Sequence, residues 1–329
     1  MRKNNRITVL GGGLWGTVLA QHLAQKKAGA VVLWEFFPKA AETLQEKRTH
    51  AHLPGFILDK GIRVTADLAE AAEGASLILF VLPSHFVRKT AHALSKATKD
   101  GRPVVVNACK GIEPGTLMTM GEVIASELPR WAPRVYTLSG PSFAREVAKG
   151  VRTKLVLAGK AGPEAERTRK LFDGGALSVE RSTDRKGVEL GGSLKNVLAI
   201  GCGVLDGLKA GANTKAALLI QGMEEMGRLI AKCGGQAKTV YGLAGLGDLI
   251  ATGTSTESRN RGFGEKLGEG KTLQQALREI PTVVEGVEAS ASTRALCRKM
   301  GLKVPLLEAV WRVVHGGQPP ELIVRSMGF

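Results

Sequence analysis

The sequence predicts an α/β protein in which an N-terminal, doubly wound and mostly parallel sheet is followed by an all-α C-terminal domain. In the first half of the chain, short runs rich in Val, Leu and Ile alternate with helical stretches, which is typical of a parallel sheet with helices on both faces. From about Val188 onward, long helical patterns that close on glycine replace these runs. We place the domain boundary at this change, so that residues 1–189 form the first domain and residues 190–329 the second.

Length and composition are those of an ordinary globular protein. A chain of 329 residues is long enough for two domains that each bury a core. With 43% hydrophobic and 23% charged residues, the disordered and fibrous classes are excluded. The uncharged run at residues 7–25 contains consecutive glycines and predicts no membrane span, and nothing after the basic N-terminus resembles a processing site. We therefore expect a cytoplasmic protein without an integral membrane segment.

The charge and the cysteines limit the possible partners. The formal net charge is +16, but the basic residues are scattered, and aromatic residues make up 5% of the chain, so we expect no nucleic-acid partner. Attraction of small anions fits this charge better, with a merely solvated basic surface as the alternative. The cysteines have no metal-ligand spacing, which predicts reduced thiols and no metal site. They are Cys109, Cys202, Cys233 and Cys297.

Six apolar runs are the predicted strands. They are residues 6–12, 30–35, 76–83, 103–110, 134–141 and 153–159. Most of them are followed by small or polar turn residues. Because ligands of such folds bind at the carboxyl edge of the sheet, the residues directly after these runs are the first candidates for a binding site.

The first run leads into a glycine motif, "VLGGGLWGTVLA", at the opening of a helix. Gly11, Gly13 and Gly16 fit the pattern G-x-G-x-x-G. In this pattern the first glycine permits a tight turn, the second lets the backbone approach a pyrophosphate, and the third lets helix and strand pack closely. Glu35 ends the second run about 20 residues on, where a ribose diol would be held. The motif predicts dinucleotide binding by a Rossmann-like domain, with a chance glycine turn as the alternative.

Later strand ends carry further candidates. Lys110, in "NACKGIEPG" (residues 107–115), is a cation at the binding edge, although an exposed lysine in a turn would look the same. The motif "VLPSHF" (residues 81–86) also follows a strand. In "LSGPSFAREVA" (residues 138–148), a Gly-Pro turn precedes a helix that Ser142 is expected to cap.

The stretch "ELGGSLKNVLAIGCGVL", residues 189–205, is predicted to be a helix with an unusual lysine. Its apolar residues recur at helical spacing, but Lys195 interrupts them. Offsets of three and four residues put Gly191, Gly192 and Ala199 on the same face, so we expect space for a ligand beside Lys195. The alternative is a lysine that packs its stem on apolar surface and extends its charge into water.

A second unusual region is "GLAGLGDLIATGTSTESRNRGFGEKLGEG", residues 242–270. It is rich in Gly and hydroxyl residues and includes the cap and first turn of a helix, with Arg259 and Asn260 near the positive end. Backbone amides, a guanidinium and hydroxyls predict a phosphate-binding site. The alternative is an ordinary capped loop whose arginines face solvent.

Eight motifs together resemble the NAD(P)-dependent sn-glycerol-3-phosphate dehydrogenase family of bacterial type. In chain order they are "GGGLWGTVLA", "VLPSH", "ACKGIE", "SGPSFAREVA", "ELGGSLKNVLAIGCG", "GLAGLGDLIAT", "SRNRGFG" and "VVEGV", and they cover nearly the whole chain. The resemblance implies an oxidoreductase that interconverts dihydroxyacetone phosphate and sn-glycerol 3-phosphate by hydride transfer with NAD(P)H, supplying glycerol 3-phosphate for phospholipid synthesis. The chain departs from the family at Gly12 and Leu14, where small residues such as Ala and Ser are usual, and near Phe36, where bacterial members often have a basic or imidazole group.

The resemblance also implies roles for individual residues. Lys195 matches the family's catalytic lysine, which donates a proton to the carbonyl oxygen as hydride arrives, and Lys110 and Asp248 are the other implied catalytic residues. The implied substrate-binding residues are Lys110, Gly140, Ser142, Lys195, Asp248, Ser258, Arg259 and Asn260. The implied cofactor-binding residues are Gly11, Gly13, Leu14, Trp15, Gly16, Glu35, Phe36, Lys110, Ala144, Arg259, Val283 and Glu285. Asn196 is expected to orient the lysine or to cap a kink.

We expect NAD to be preferred, with NADP also usable. Glu35 can accept hydrogen bonds from the ribose hydroxyls, and the adjoining Phe36 and Phe37 offer no cation for a 2′-phosphate. The opposite arrangement would have Glu35 in solvent while Arg48, Lys39 or another nearby cation holds that phosphate.

The expected partner is a phosphorylated small-molecule substrate, and the expected assembly is a homodimer. Two other functions stay open from the residues alone. One is a related two-domain reductase of a different keto acid or sugar phosphate. The motif "SRNRGFG" discriminates here, because a substrate with only a carboxylate would not require this cluster. The other is a non-catalytic protein that senses a dinucleotide, against which the joint presence of Lys195, Lys110 and Asp248 argues.

Overall fold

The computed structural model describes residues 5–98, 101–280 and 283–329. The chain divides into two compact units. Unit 1 comprises Met1–Lys110 and Met120–Arg185, and unit 2 comprises Gly111–Thr119 and Lys186–Phe329. The short segment Gly111–Thr119 therefore belongs with the second half of the chain, although it follows a strand of the first.

Unit 1 contains an eight-stranded sheet with the order β3-β2-β1-β4-β5-β6-β7-β8. The strands are β1 (Arg6–Leu10), β2 (Ala30–Trp34), β3 (Arg63–Thr65), β4 (Ala75–Phe80), β5 (Val104–Asn107), β6 (Val135–Ser139), β7 (Thr153–Ala158) and β8 (Leu177–Ser182). Neighbouring strands are parallel except for β6 and β7, which pair antiparallel. The prediction of a mostly parallel, doubly wound sheet is confirmed.

Two strands lie outside the six predicted runs. β3 has three residues and β8, "LSVERS", alternates buried and exposed residues over its first four positions. Both occupy the edges of the sheet, where one side of a strand can face water and charged residues such as Glu180 and Arg181 are tolerated. Apolar runs identify buried central strands, so these edge strands escape the pattern.

The helices of unit 1 flank this sheet. They are α1 (Leu14–Gln25), α2 (Pro38–Lys47), α3 (Leu68–Ala72), α4 (Ser84–Ala97), α5 (Met120–Glu127), α6 (Ala144–Ala148) and α7 (Pro163–Phe172). The core lies between them and the sheet, where Ile7, Leu19, Leu33 and Leu79 are fully buried. Burial of such side chains supplies about 1.5–3 kcal/mol each, which is the main force holding α1 and the glycine motif against β1.

Unit 2 is helical, as predicted. Its helices are α8 (Arg185–Gly207), α9 (Gly211–Lys232), α10 (Asp248–Thr254), α11 (Arg259–Gly268), α12 (Leu273–Arg278), α13 (Glu285–Lys299), α14 (Pro305–Gly316) and α15 (Leu322–Arg325). The central helix α8 begins at Arg185, so the predicted boundary at residue 189 falls inside its first turns. Every residue of α8 from Gly187 to Leu205 is buried.

The glycines of α8 and α11 let the two helices pack backbone to backbone. A Cβ at Gly203 would lie 1.9 Å from the carbonyl oxygen of Arg261, and a Cβ at Gly264 would lie 2.0 Å from that of Ile200. Glycine inside a helix costs about 1 kcal/mol relative to alanine, and here the close approach offsets that cost. The helix with Lys195 is thereby fixed against the helix that begins at Arg259.

In the described part of the chain, α8 is the one helix long and apolar enough to cross a membrane by length and composition. Its 18-residue apolar window has a mean hydropathy of 1.3 and is completely buried inside the fold. Burial of this kind is the behaviour of a core helix in a large helical unit.

Candidate functional site

The glycine motif adopts the geometry that each glycine's predicted role requires. Gly11 has a φ of +118°, and its Cβ would lie 2.2 Å from the carbonyl oxygen of Val81, so this turn admits only glycine. A Cβ at Gly16 would lie 1.9 Å from the carbonyl oxygen of Gly11, which shows how closely helix and loop approach. Gly13 is the N-cap of α1, and among the described residues no atom lies within 4 Å of a Cβ built there. This open space at a helix N-terminus fits the pyrophosphate of a dinucleotide.

Glu35 directly follows β2 and lies against the glycine loop. Its Oε2 accepts a hydrogen bond from the Gly12 N–H at 3.0 Å, and its Oε1 accepts one from the Phe37 N–H at 3.0 Å. The carboxylate is therefore fixed beside the loop, and the arrangement in which it points freely into solvent is not observed. Leu14 and Trp15 form the first turn of α1 beside it and are half-buried.

Phe36 lies in an aromatic cluster that includes a cation. Its ring is 46% exposed and stacks on Phe86 at a centroid distance of 6.0 Å. Lys89, one turn further along α4, places its Nζ 6.0 Å from the centre of the Phe36 ring. The sequence interpretation named Lys39 and Arg48 as candidate cations near Phe36 and missed Lys89, which lies 53 positions from Phe36 in the sequence. Arg48 instead donates to the carbonyl oxygen of Ile62 at 2.6 Å.

The strand ends after β5 and β6 bring Lys110, Gly140 and Ser142 together. Lys110 Nζ donates to the Gly140 carbonyl oxygen at 3.5 Å, and the Ser142 hydroxyl donates to the same oxygen at 3.2 Å. Ser142 lies one residue before the N-cap of the following helix, which has no side-chain cap, so the prediction that Ser142 caps this helix is wrong. α6 begins at Ala144, with Phe143 as its N-cap.

Lys195 is the centre of a buried polar cluster in unit 2. Its Nζ lies 2.9 Å from Asp248 Oδ1 and 2.6 Å from the hydroxyl oxygen of Thr252. The Thr252 hydroxyl also donates to Asp248 Oδ1 at 3.2 Å. All three residues are at most 6% exposed, so the alternative of a lysine that extends its charge into water is wrong. A buried carboxylate at this distance favours the charged ammonium.

Thr252 was missed by sequence reasoning, although a signal was present. Asp248 and Thr252 lie four positions apart on α10, and residues at this spacing share one face of a helix. A threonine hydroxyl can both accept from an ammonium and donate to a carboxylate, so it links the two charges.

Part of the small-residue face beside Lys195 is filled by protein. A Cβ at Gly191 would lie 3.3 Å from the carbonyl oxygen of Ala244 and 3.4 Å from the nitrogen of Gly245. These residues belong to a π-type turn, Leu243–Gly247, that leads directly into α10. The expectation of ligand space is wrong at Gly191: the missing side chain lets this turn approach α8 and brings Asp248 to Lys195.

An amide network joins α8, α11 and α13. Asn260 donates to the side-chain oxygen of Asn196 at 2.9 Å and accepts from the backbone N–H of Gly286 at 2.9 Å. Asn196 in turn donates to Glu285 at 3.4 Å. Asn196 is 3% exposed and Asn260 is 8% exposed, so these bonds form away from water and fix the N-terminal ends of α11 and α13.

Arg259 is the first residue of α11 and is exposed. Its guanidinium donates to the carbonyl oxygen of Val283 at 2.9 Å. Ser258 is the N-cap, and its hydroxyl oxygen accepts from the N–H of Arg261 at 3.2 Å. The predicted helix start is confirmed, and the guanidinium, the hydroxyl and the positive helix end lie together, which is a suitable environment for a phosphate.

Comparison with known proteins gives a consistent result. A sequence model described as NAD-dependent glycerol-3-phosphate dehydrogenase N-terminus matches residues 6–164, and one described as the C-terminus of the same enzyme matches residues 184–325. The chain is 40% identical to glycerol-3-phosphate dehydrogenase [NAD(P)+] of Geobacter sp. (strain M21), over 98% of both chains. It is 41% identical to the enzyme of that name from Geobacter sulfurreducens, over 98% of this chain and 97% of that one. A crystal structure of glycerol-3-phosphate dehydrogenase from Coxiella burnetii superposes with a TM-score of 0.92 at 35% identity, covering 98% of both chains.

Proposed function

The chain belongs to the NAD-dependent glycerol-3-phosphate dehydrogenase family, and on this premise we propose that Lys195, held by Asp248 and Thr252, exchanges the proton of the reacting oxygen. The protein is an oxidoreductase that interconverts dihydroxyacetone phosphate and sn-glycerol 3-phosphate with NAD(P)H. This activity replaces the two alternatives, a reductase of another compound and a non-catalytic sensor. The observation that carries the proposal is the buried Lys195, Asp248 and Thr252 cluster.

When bound, the reduced nicotinamide supplies a hydride to C2 of the ketone, and negative charge then develops on the C2 oxygen. The Lys195 ammonium donates its proton to this oxygen and forms the hydroxyl of glycerol 3-phosphate. In the oxidative direction the neutral amine accepts that proton. Asp248 Oδ1 at 2.9 Å favours the ammonium, and the Thr252 hydroxyl fixes the direction of Nζ. Burial of the cluster strengthens these interactions by keeping water away.

The substrate's phosphate is assigned to the N-terminal end of α11. Arg259 offers a planar pair of donors, and Ser258 and Asn260 flank it. Lys110, Gly140 and Ser142 form the second group of proposed substrate contacts, at the strand ends of unit 1.

The dinucleotide is assigned to the glycine loop, whose open position at Gly13 fits a pyrophosphate. We infer a preference for NADH over NADPH, because Glu35 is fixed where it accepts from ribose hydroxyls and repels a 2′-phosphate. Lys89 near Phe36 is the cation that would let NADPH be used as well. The further proposed contacts are Gly11, Leu14, Trp15, Gly16, Phe36, Lys110, Ala144, Arg259, Val283 and Glu285.

The compartment and the assembly are also part of the proposal. A cytoplasmic location is supported by the four cysteines, all of them free thiols, since reducing compartments keep thiols in this form. A homodimer is the expected assembly. Sedimentation velocity of the purified protein measures the oligomeric state, and a monomer at micromolar concentration would contradict the homodimer.

The test of the proposal is Lys195→Ala, measured by steady-state NADH oxidation with dihydroxyacetone phosphate. Loss of a general acid costs about 10²–10⁴ in rate, so we expect kcat to fall by at least about 100-fold while the dissociation constant of NADH stays unchanged. The matched control is Lys215→Ala, because Lys215 also forms an ion pair inside unit 2, with Asp206. The control should keep its kcat. A Lys195→Ala variant with more than about half the wild-type kcat would exclude Lys195 as the proton donor.

A further inference from the structure

Gly12 is the glycine of the loop that the G-x-G-x-x-G pattern does not require. Its φ lies outside the left-handed region that favours glycine. A side chain there would nevertheless meet Glu35: a Cβ on Gly12 would lie 2.7 Å from Glu35 Oε2 and 3.0 Å from Glu35 Cβ. The backbone conformation of Gly12 would admit other residues, and the atoms that an added Cβ would meet belong to Glu35.

The neighbouring glycines meet different obstacles. At Gly11 and Gly16 an added Cβ would strike backbone carbonyl oxygens, at 2.2 Å and 1.9 Å, so substitution there disturbs the loop itself. At Gly12 the nearest atom is the far end of a flexible side chain. Rotation of Glu35 away from the loop relieves the overlap with Oε2, since glutamate has several staggered rotamers, and a shift of a few tenths of an ångström relieves the 3.0 Å contact with Glu35 Cβ.

The Gly12 peptide is also held in place from its other side. Its carbonyl oxygen accepts from the Thr17 hydroxyl at 3.1 Å. Its N–H donates to Glu35 Oε2 at 3.0 Å. Because Thr17 holds the carbonyl, we expect an added methyl group at this position to displace the Glu35 carboxylate before it displaces the peptide.

We propose that Gly12 is a cofactor-specificity residue, because its missing side chain lets the Glu35 carboxylate lie against the loop where it favours NADH and disfavours NADPH. This inference rests on the proposed function of Glu35 as the residue that contacts the adenosine ribose. Gly12→Ala moves the carboxylate away, which weakens both its hydrogen bonds to a ribose and its repulsion of a 2′-phosphate. Lys89, whose Nζ lies 6.0 Å from the Phe36 ring centre, then contributes more to the balance.

Isothermal titration calorimetry with NADH and NADPH, at one pH and ionic strength, tests this inference without relying on turnover. The quantity compared is the ratio of the two dissociation constants in the wild type, Gly12→Ala, Glu35→Gln and the double variant. We expect the preference for NADH to shrink by about tenfold or more in Gly12→Ala, in line with the loss of one close charge interaction. In the Glu35→Gln background, Gly12→Ala should change the ratio much less, because the charge is already absent.

The matched control is Gly13→Ala, which adds the same methyl group one residue further on. Within the described part of the chain nothing lies within 4 Å of that Cβ, and the predicted neighbour is the pyrophosphate that both cofactors share. The control should weaken NADH and NADPH equally and leave the ratio unchanged. If Gly12→Ala lowers the melting temperature too far for titration at room temperature, all variants are titrated at a lower temperature at which Gly12→Ala is folded.

The outcomes separate this inference from the function it rests on. A ratio that changes in Glu35→Gln and stays at the wild-type value in Gly12→Ala overturns the role of Gly12 and leaves that of Glu35 intact. A ratio unchanged in Glu35→Gln overturns the ribose contact of Glu35, and the role of Gly12 with it. Equal shifts of the ratio in Gly12→Ala and Gly13→Ala would also overturn the inference, because a general disturbance of the loop would explain both.

Discussion

Asp248→Asn removes the negative charge beside Lys195 and leaves a side chain of nearly the same size. The Lys195 and Asp248 side chains are 8% and 4% exposed, so the ammonium stays buried without its counter-ion. Removing one partner of a buried ion pair costs about 3–5 kcal/mol. The asparagine oxygen still accepts a hydrogen bond, which retains about 1 kcal/mol. We therefore expect the free energy of unfolding to fall by about 2–4 kcal/mol.

The same substitution is expected to lower kcat, because Asp248 determines where Nζ lies. A misplacement of a reacting group by about 1 Å costs about 100-fold in rate. Urea unfolding followed by circular dichroism measures the first effect, and NADH oxidation with dihydroxyacetone phosphate measures the second. The control is Asp206→Asn, since Asp206 also pairs with cations in unit 2 but is 19% exposed; it should cost less stability and leave kcat unchanged. An Asp248→Asn variant with wild-type unfolding free energy and wild-type kcat would refute the reasoning.

Three further predictions concern the phosphate, the nucleotide and the dependence of stability on pH. Arg259→Ala should raise KM for dihydroxyacetone phosphate by about 10–100-fold, since charge-assisted hydrogen bonds contribute about 1.5–3 kcal/mol; an unchanged KM contradicts the phosphate assignment. The kcat/KM for NADH should exceed that for NADPH by at least about tenfold because of Glu35, and equal values would exclude it as the ribose contact. Burial lowers the pKa of His22 below its ordinary value of 6.5, so the unfolded chain binds that proton more readily, and stability should be lost as pH falls below this value. Urea titrations at several pH values check this, and His22→Gln, which removes the titrating imidazole, should show a smaller loss between pH 7 and pH 5.

The fold could be predicted from the sequence wherever one kind of residue dominates an element. Central strands are continuous apolar runs because both of their faces are buried, and the runs that contain β1, β2 and β4 were found for this reason. β8 was missed because an edge strand admits Glu180 and Arg181. The end of the α/β half was recognised by the change from strand-like to helical periodicity. The start of α8 at Arg185 was not recognised, because its first turn is charged and resembles a loop.

In the candidate site, local sequence patterns identified individual residues but not the long-range contacts between them. Lys195 was found because an ammonium inside an apolar helix is unusual, and the resemblance to a family pointed to Asp248. The contacts that define their chemistry are long-range: Thr252 reaches Lys195 from 57 positions away, and Lys89 approaches Phe36 from 53 positions away. A local pattern also misassigned Ser142, because the following helix begins at Ala144 and has Phe143 as its N-cap.

The exposure of Arg259 agrees with the alternative given for this region, a capped loop whose arginines face solvent. A phosphate-binding arginine was expected near the start of a helix, and its position is confirmed. Its guanidinium is exposed and donates to the carbonyl oxygen of Val283, so part of its hydrogen-bonding capacity is in use before any phosphate binds. The expected loss of affinity on truncation is therefore smaller than that for a buried charge pair.

Whether Lys195 donates the proton in the chemical step is tested most directly by single-turnover kinetics. Lys195→Ala and the wild type, each in excess over NADH, are mixed with saturating dihydroxyacetone phosphate, and the loss of NADH absorbance is followed by stopped flow. We predict that the rate of this step falls by at least about 100-fold in Lys195→Ala, with the affinity for NADH retained. A single-turnover rate within about twofold of the wild type would contradict the assignment of Lys195 as the general acid.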